Sequence, residues 1–211
     1  MRKLSLFLFF VTLLACNKND LEPKFYEQDR TVFKAIDFSD LSGWNYEIES
    51  GEIGDTAYVN VENSSLNLYA RGWAYCTASM SLEDWNADIM CFEIGFKRFK
   101  GQYYPWGTSD IPLVTSSLII EFNDQYIYRD RSKGSFDISN APLHIYINKE
   151  NSAFKVFLHG EDKTEAFRCV ENYDGSQKNT LKIGSKASDY YGMKEECETI
   201  VDYVLFYTVQ S

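Results

Sequence analysis

The chain has 211 residues, a formal net charge of −10 at neutral pH, and 16% aromatic residues, including 15 Tyr and 15 Phe. Phosphate backbones and anionic headgroups repel such a surface, which argues against nucleic acid as a partner. The aromatic content supplies ample material for a core, and the length fits one all-β domain as well as two small ones. In chain order, residues 1–15 come first. Arg2 and Lys3 precede an apolar run from Leu4 to Leu14 and then Ala15, the pattern of a secretory signal whose apolar stretch is too short for a permanent span.

The signal ends in "LLAC", and this resembles the lipobox of bacterial lipoproteins, in which the cysteine becomes the acylated first residue of the mature chain. The resemblance implies a lipid anchor at Cys16, with several acyl chains making the attachment stable. Asn17, not Asp, follows the cysteine. By resemblance to the sorting rules of Gram-negative lipoproteins, that implies the outer membrane. Residues 16–30 are polar, charged and without period, and read as a lipidated tether to a domain over 31–211.

That domain reads as short β-branched and aromatic runs separated by turn clusters, with no helix. The predicted strands are 31–37, 44–49, 57–62, 65–70, 73–82, 89–99, 116–123, 125–130, 143–148, 153–159, 164–170, 180–185 and 199–209. Met90, Phe92, Ile94 and Phe96 alternate with Cys91, Glu93, Gly95 and Lys97. Leu118, Ile120 and Phe122 alternate with Ile119, Glu121 and Asn123, and Leu143, Ile145 and Ile147 with His144, Tyr146 and Asn148. Antiparallel strands with one apolar face each must bury those faces against a second sheet or close into a barrel, which predicts a two-sheet antiparallel β-sandwich of the jelly-roll kind.

Four cysteines remain beyond Cys16, and three disulfide connectivities are open to them in an oxidising compartment. If 73–82 and 89–99 form a hairpin around "EDWNAD", Cys76 and Cys91 face each other, leaving Cys169 for Cys197. Free buried thiols are the competing reading.

The stretches "IDFSDLSGWNYEIESGEI", "SLIIEFNDQYIYRD", "PLHIYINKENSAFKVFLHG", "NTLKIGSK" and "ETIVDYVLFYTV" resemble the strands of concanavalin A-like, laminin-G-like jelly rolls. The resemblance implies a final strand returning beside the first. It also implies a structural calcium held by an acid near the first strand and an Asp on the last, here Asp37 and Asp202. Laminarinase-like hydrolases of this fold carry a Glu-x-Asp-x-x-Glu run, which is absent here: Gly95 follows Glu93 at the second acid position, and Asn123 follows Glu121. An enzyme on this chain would have to pair Glu93 with Glu121 across strands. No Gly-x-Ser-x-Gly elbow accompanies His144 or His159, which read as a strand residue and a turn residue.

Aromatic rings in turn-rich segments remain. Sugars present C–H faces that stack on such rings, with amides and acids bonding the hydroxyls. Tyr103, Tyr104 and Trp106 in "KGQYYPWGTSDIP" and Tyr190 and Tyr191 in "ASDYYGM" are the candidates, with Glu93, Lys97, Glu121 and Asn123 as a groove face between them. Trp44, Trp73 and Trp85 read as packed within the fold or capping its edges. Three functions follow: a non-catalytic surface lipoprotein that binds a glycan or polysaccharide, a divergent glycoside hydrolase or lyase, and a structural or adhesive protein with an outer-membrane protein partner.

Overall fold

The structure, a computed structural model, describes residues 25–85, 87–101, 103–104, 113–114, 117–122, 125–129, 140–148, 153–164, 179–190 and 193–209. Cys16, Trp106, Asn123, Cys169 and Tyr191 lie outside them, as do the signal and most of the predicted strand 164–170.

Among the described residues, a 3-10 turn, Phe25–Glu27, precedes the strands. These are β1 (Arg30–Ile36), β2 (Asn45–Ser50), β3 (Thr56–Glu62), β4 (Ser65–Arg71), β5 (Ala74–Ser81), β6 (Ile89–Gly101), β7 (Tyr103–Tyr104), β8 (Leu113–Val114) and β9 (Ser117–Phe122). They continue as β10 (Gln125–Arg129), β11 (Ala141–Asn148), β12 (Ala153–Leu158), β13 (Glu161–Asp162), β14 (Thr180–Lys186), β15 (Asp189–Tyr190), β16 (Met193–Lys194) and β17 (Glu196–Val209). An eight-stranded sheet runs β13-β12-β11-β6-β17-β4-β3, with β1 also paired to β17. A five-stranded sheet runs β10-β9-β14-β5-β2. All the pairings are antiparallel, and the fold is the expected all-β, two-sheet jelly-roll sandwich.

The two-residue period decides which residues enter the core. Met90, Phe92, Ile94 and Phe96 from β6 and Leu143, Ile145 and Ile147 from β11 meet Leu118, Ile120 and Phe122 from β9. The rings of Phe92 and Phe122 lie 5.0 Å apart between the sheets. The longest strands, β6 and β17, pair with each other with two register shifts. Lys97 is skipped between Arg98 and Phe96, opposite Ile200 and Val201, and Asp202 is the extra residue at the next step, between Val201 and Tyr203. Such bulges let a long strand bend and re-aim its side chains.

Two expectations change here. The segment 82–88 is not a hairpin turn: β5 belongs to the five-stranded sheet and β6 to the eight-stranded one. Between them Trp85 is buried against Phe92 and Phe206 and stacks on Phe33. Cys76 therefore lies in the main core and Cys91 in a separate cluster on the far side of the other sheet, both as free thiols. The proposed Cys76–Cys91 bridge is absent because the chain crosses between sheets, not back on itself. Cys197 is buried, and its predicted partner Cys169 is among the residues not described.

The second change concerns the tether. Its last part is packed, with Phe25 only 6% exposed in a cluster with Cys91, Tyr207 and Val209. Phe25 meets Tyr146 and Phe157, and Tyr26 stacks on His144 at 4.0 Å. Packed structure thus reaches back at least to Phe25.

Candidate functional site

Glu93 and Glu121 are not brought together. Phe92 and Phe122 point inward from different sheets, so their neighbours Glu93 and Glu121 point outward on opposite sides of the sandwich. Glu93 accepts bonds from Arg30 Nη1 at 3.1 Å and from Tyr203 Oη at 2.6 Å, with His144 Nδ1 at 3.5 Å. Burial, and then the Glu93 carboxylate, push the Tyr203 phenol up, so it stays a donor. Glu121 pairs with Lys182 at 3.0 Å. Each carboxylate is committed to its own neighbours, and the two cannot act across one glycosidic bond. Lys97 shares the outer face of Glu93 and lies 3.5 Å from Asp202. The expected common groove of Glu93, Lys97, Glu121 and Asn123 is therefore not formed by the described members.

The calcium residues fare differently. β1 pairs with the end of β17, so the two chain ends do meet as the resemblance implied. Asp37, however, accepts the backbone N–H of Ser39 in a local turn. Asp202 accepts from Ser65 Oγ at 2.6 Å and faces the Lys97 ammonium, a poor neighbour for a cation. No group of three or more His, Cys, Asp or Glu residues placed to hold a metal ion occurs among the described residues. The two carboxylates do not fit a calcium ion.

The aromatic segments do converge. At its C-terminal end β6 pairs Gly101 with Cys197, at the start of β17, and Cys197 and Glu196 pair in turn with Ala70 and Arg71 at the end of β4. The Tyr103–Tyr104 strand follows Gly101 and pairs with Leu113–Val114, so part of the predicted loop is a hairpin. Tyr190 stands in the β15–β16 hairpin that leads into β17. Two residues beyond Arg71 comes Trp73. The two segments singled out by sequence therefore start from the same end of the sandwich, and Trp73 joins them there.

Trp73 is 53% exposed, whereas Trp44 and Trp85 are buried. Ile53, at the same end, is fully exposed. A clasp holds this rim. Asp55, its side chain sealed from solvent, takes Lys194 Nζ at 2.7 Å, and the same ammonium donates to the Ile53 carbonyl at 2.9 Å. Gly51 N–H donates to the Trp73 carbonyl, and Gly72 N–H to that of Glu195. Gly72 has a φ of +74°, and a Cβ there would come within 2.1 Å of the Asp55 carboxylate, so only glycine fits. The Lys194 hydrogen bond, joined by the backbone N–H of Glu52, holds the Asp55 carboxyl below the usual carboxylate range.

Below the rim begins the outer face of the five-stranded sheet. Cys76, Ala78 and Met80 of β5 enter the core, so Tyr75, Thr77 and Ser79 face out. Tyr75 lies in register with Glu49 and Lys186, Thr77 with Glu47 and Gly184, and Ser79 with Asn45 and Lys182. Tyr75 donates to Glu47 Oε1 at 2.8 Å. Glu47 and then Glu49 push its phenol up, so the hydroxyl stays protonated. The result is a rim that exposes Trp73 above a sheet face carrying hydroxyl, amide, carboxylate and ammonium groups. Trp73 and this face were missed because a Trp beside a strand more often packs inward, and β2 carries its glutamates with no catalytic spacing.

No model of a known protein family matches the chain, and no curated protein does. Among solved structures, the chain is similar to the metal-free carbohydrate recognition domain of Emp46p, at 12% identity over 82% of this chain and 91% of that one, with a TM-score of 0.50. It is also similar to a β-1,3-glucanase from Mycobacterium marinum, at 10% identity over 85% of this chain and 100% of that one, with a TM-score of 0.46. A third likeness, to a sialidase, has 14% identity, a TM-score of 0.48 and 79% of this chain covered, but the chain spans only 17% of that protein. These likenesses are of fold.

Proposed function

We propose that the protein is a lipid-anchored cell-envelope protein, held on the outer membrane through Cys16, that binds a glycan without cleaving it. The observation that carries the binding is the convergence of Trp73, the Tyr103–Tyr104 strand and the Tyr190 hairpin at one end of the sandwich. There an exposed indole adjoins the polar row of Tyr75, Glu47 and Glu49. Stacking on aromatic faces flanked by hydrogen-bonding groups is what sugar rings require. The Emp46p domain that shares the fold is a carbohydrate recognition domain, in keeping with this reading. Trp106 and Tyr191 extend the aromatic set as part of the proposal.

A glycan array probed with the purified chain tests it. Binding to at least one glycan should be lost with Trp73→Ala and should survive Glu93→Gln, which lies on the other sheet. Release of reducing ends from the bound polysaccharide would instead favour a hydrolase. A chain that ignores every glycan yet co-purifies with an outer-membrane protein would favour an adhesive role.

A further inference from the structure

The strap formed by Phe25–Glu27 and the residues up to Arg30 lies at the opposite end of the sandwich from the aromatic rim. Phe25 and Tyr26 sit over His144, Tyr146 and Phe157. His144 and Tyr146 pair with Glu93 and Cys91, near the start of β6. Arg30 pairs with Val209 at the end of β17, reaches Glu93 at 3.1 Å and lies over the Tyr207 ring. The rim begins where β6 ends, at Gly101. At about 3.3 Å per residue, the stretch from Cys91 to Gly101 separates the two by roughly 30 Å.

The geometry points to a fixed orientation of the anchored protein: the strap makes its own end of the sandwich membrane-proximal, and the aromatic rim is held away from the bilayer. This rests on the lipid-anchor reading above. Eight residues, 17–24, separate Cys16 from the strap. Even fully extended, the nine Cα–Cα steps from Cys16 to Phe25 reach roughly 31 Å. Turning the rim to the bilayer would consume all of that reach, whereas the upright pose needs almost none. The rim therefore serves a glycan that approaches from outside, such as a free or distant polysaccharide, and not a glycolipid headgroup of the membrane that carries the protein.

The test uses the full acylated chain in phospholipid vesicles that contain a headgroup spin-labelled lipid. A fluorophore is placed at the rim through Ile53→Cys or at the strap end through Lys155→Cys, both exposed positions, in a Cys169→Ser background. Cys76, Cys91 and Cys197 are buried and escape labelling of the native protein. The label at 155 should be quenched several-fold more than the label at 53. Releasing the strap with Phe25→Ser and Tyr26→Ser, which lengthens the free chain by five residues or more, should narrow that difference. Equal quenching of a protein whose acylation is verified by mass, or an unchanged difference after strap release, would overturn the inference alone. Absence of acyl mass on Cys16 would overturn the anchor reading, and the inference with it.

Discussion

Asp55 fastens the rim around Trp73 from beneath. Its carboxylate ties the 51–55 turn to Lys194 of the β15–β16 hairpin, while Gly72 gives it room beside Trp73. Because Lys194 lowers the folded-state pKa, the ionised form is the one that favours folding. The contribution of Asp55 should thus be complete above the ordinary Asp value of about 4 and should vanish as pH falls through the depressed folded value. Melting curves of the protein and of Asp55→Asn should differ at neutral pH and converge in strong acid. A gap that stays constant from pH 7 down to acid unfolding would show that the carboxylate charge plays no part. The sequence offered no hint of this clasp, since Asp55 and Lys194 stand far apart in the chain and each looks like an ordinary surface charge.

At the scale of elements, periodicity was readable and partnership was not. The alternations in β6, β9 and β11 are local properties of the chain, and the structure buries the apolar set of each. Whether β5 and β6 share a sheet is instead a long-range property: the structure puts them in different sheets, with Trp85 buried against Phe92 and Phe206 between them. The strap was hidden for a similar reason. Phe25 and Tyr26 sit in a polar stretch without period, and the apolar outer surface of β11, β12, β6 and β17 on which they pack is assembled only in the fold. Burying Phe25 is worth about 2 kcal/mol, so a chain that starts at Thr31 should unfold at lower denaturant concentration than one that starts at Phe25. Chemical denaturation of the two lengths measures this, and equal midpoints would mean that the strap rests on the sheet without stabilising it.

Across the whole molecule, the sandwich divides the outward-facing acids into two separate populations, and this decides what Glu93 and Glu121 can do. The jelly roll was legible because its strands carry their own one-sided patterns, and the resemblance supplied the return of the last strand beside the first. The groove was not legible, since every strand with alternating residues offers an outer face and the sequence does not say to which sheet that face belongs. Glu93 answers to Arg30, Tyr203 and His144, and Glu121 to Lys182, with the packed core between them. Groups with no shared partner and a core between them contribute independently, so the stability effects of Glu93→Gln and Glu121→Gln should add to within about 0.5 kcal/mol. Glu93→Gln and Tyr203→Phe remove the two ends of one 2.6 Å hydrogen bond, and their double-mutant cycle should instead show a coupling of about 0.5–3 kcal/mol. Denaturant titrations of the single and double variants separate the cases. Coupling between the two glutamates as large as that between Glu93 and Tyr203 would mean that they share an environment, and would restore the acid pair that the two-sided sandwich rules out.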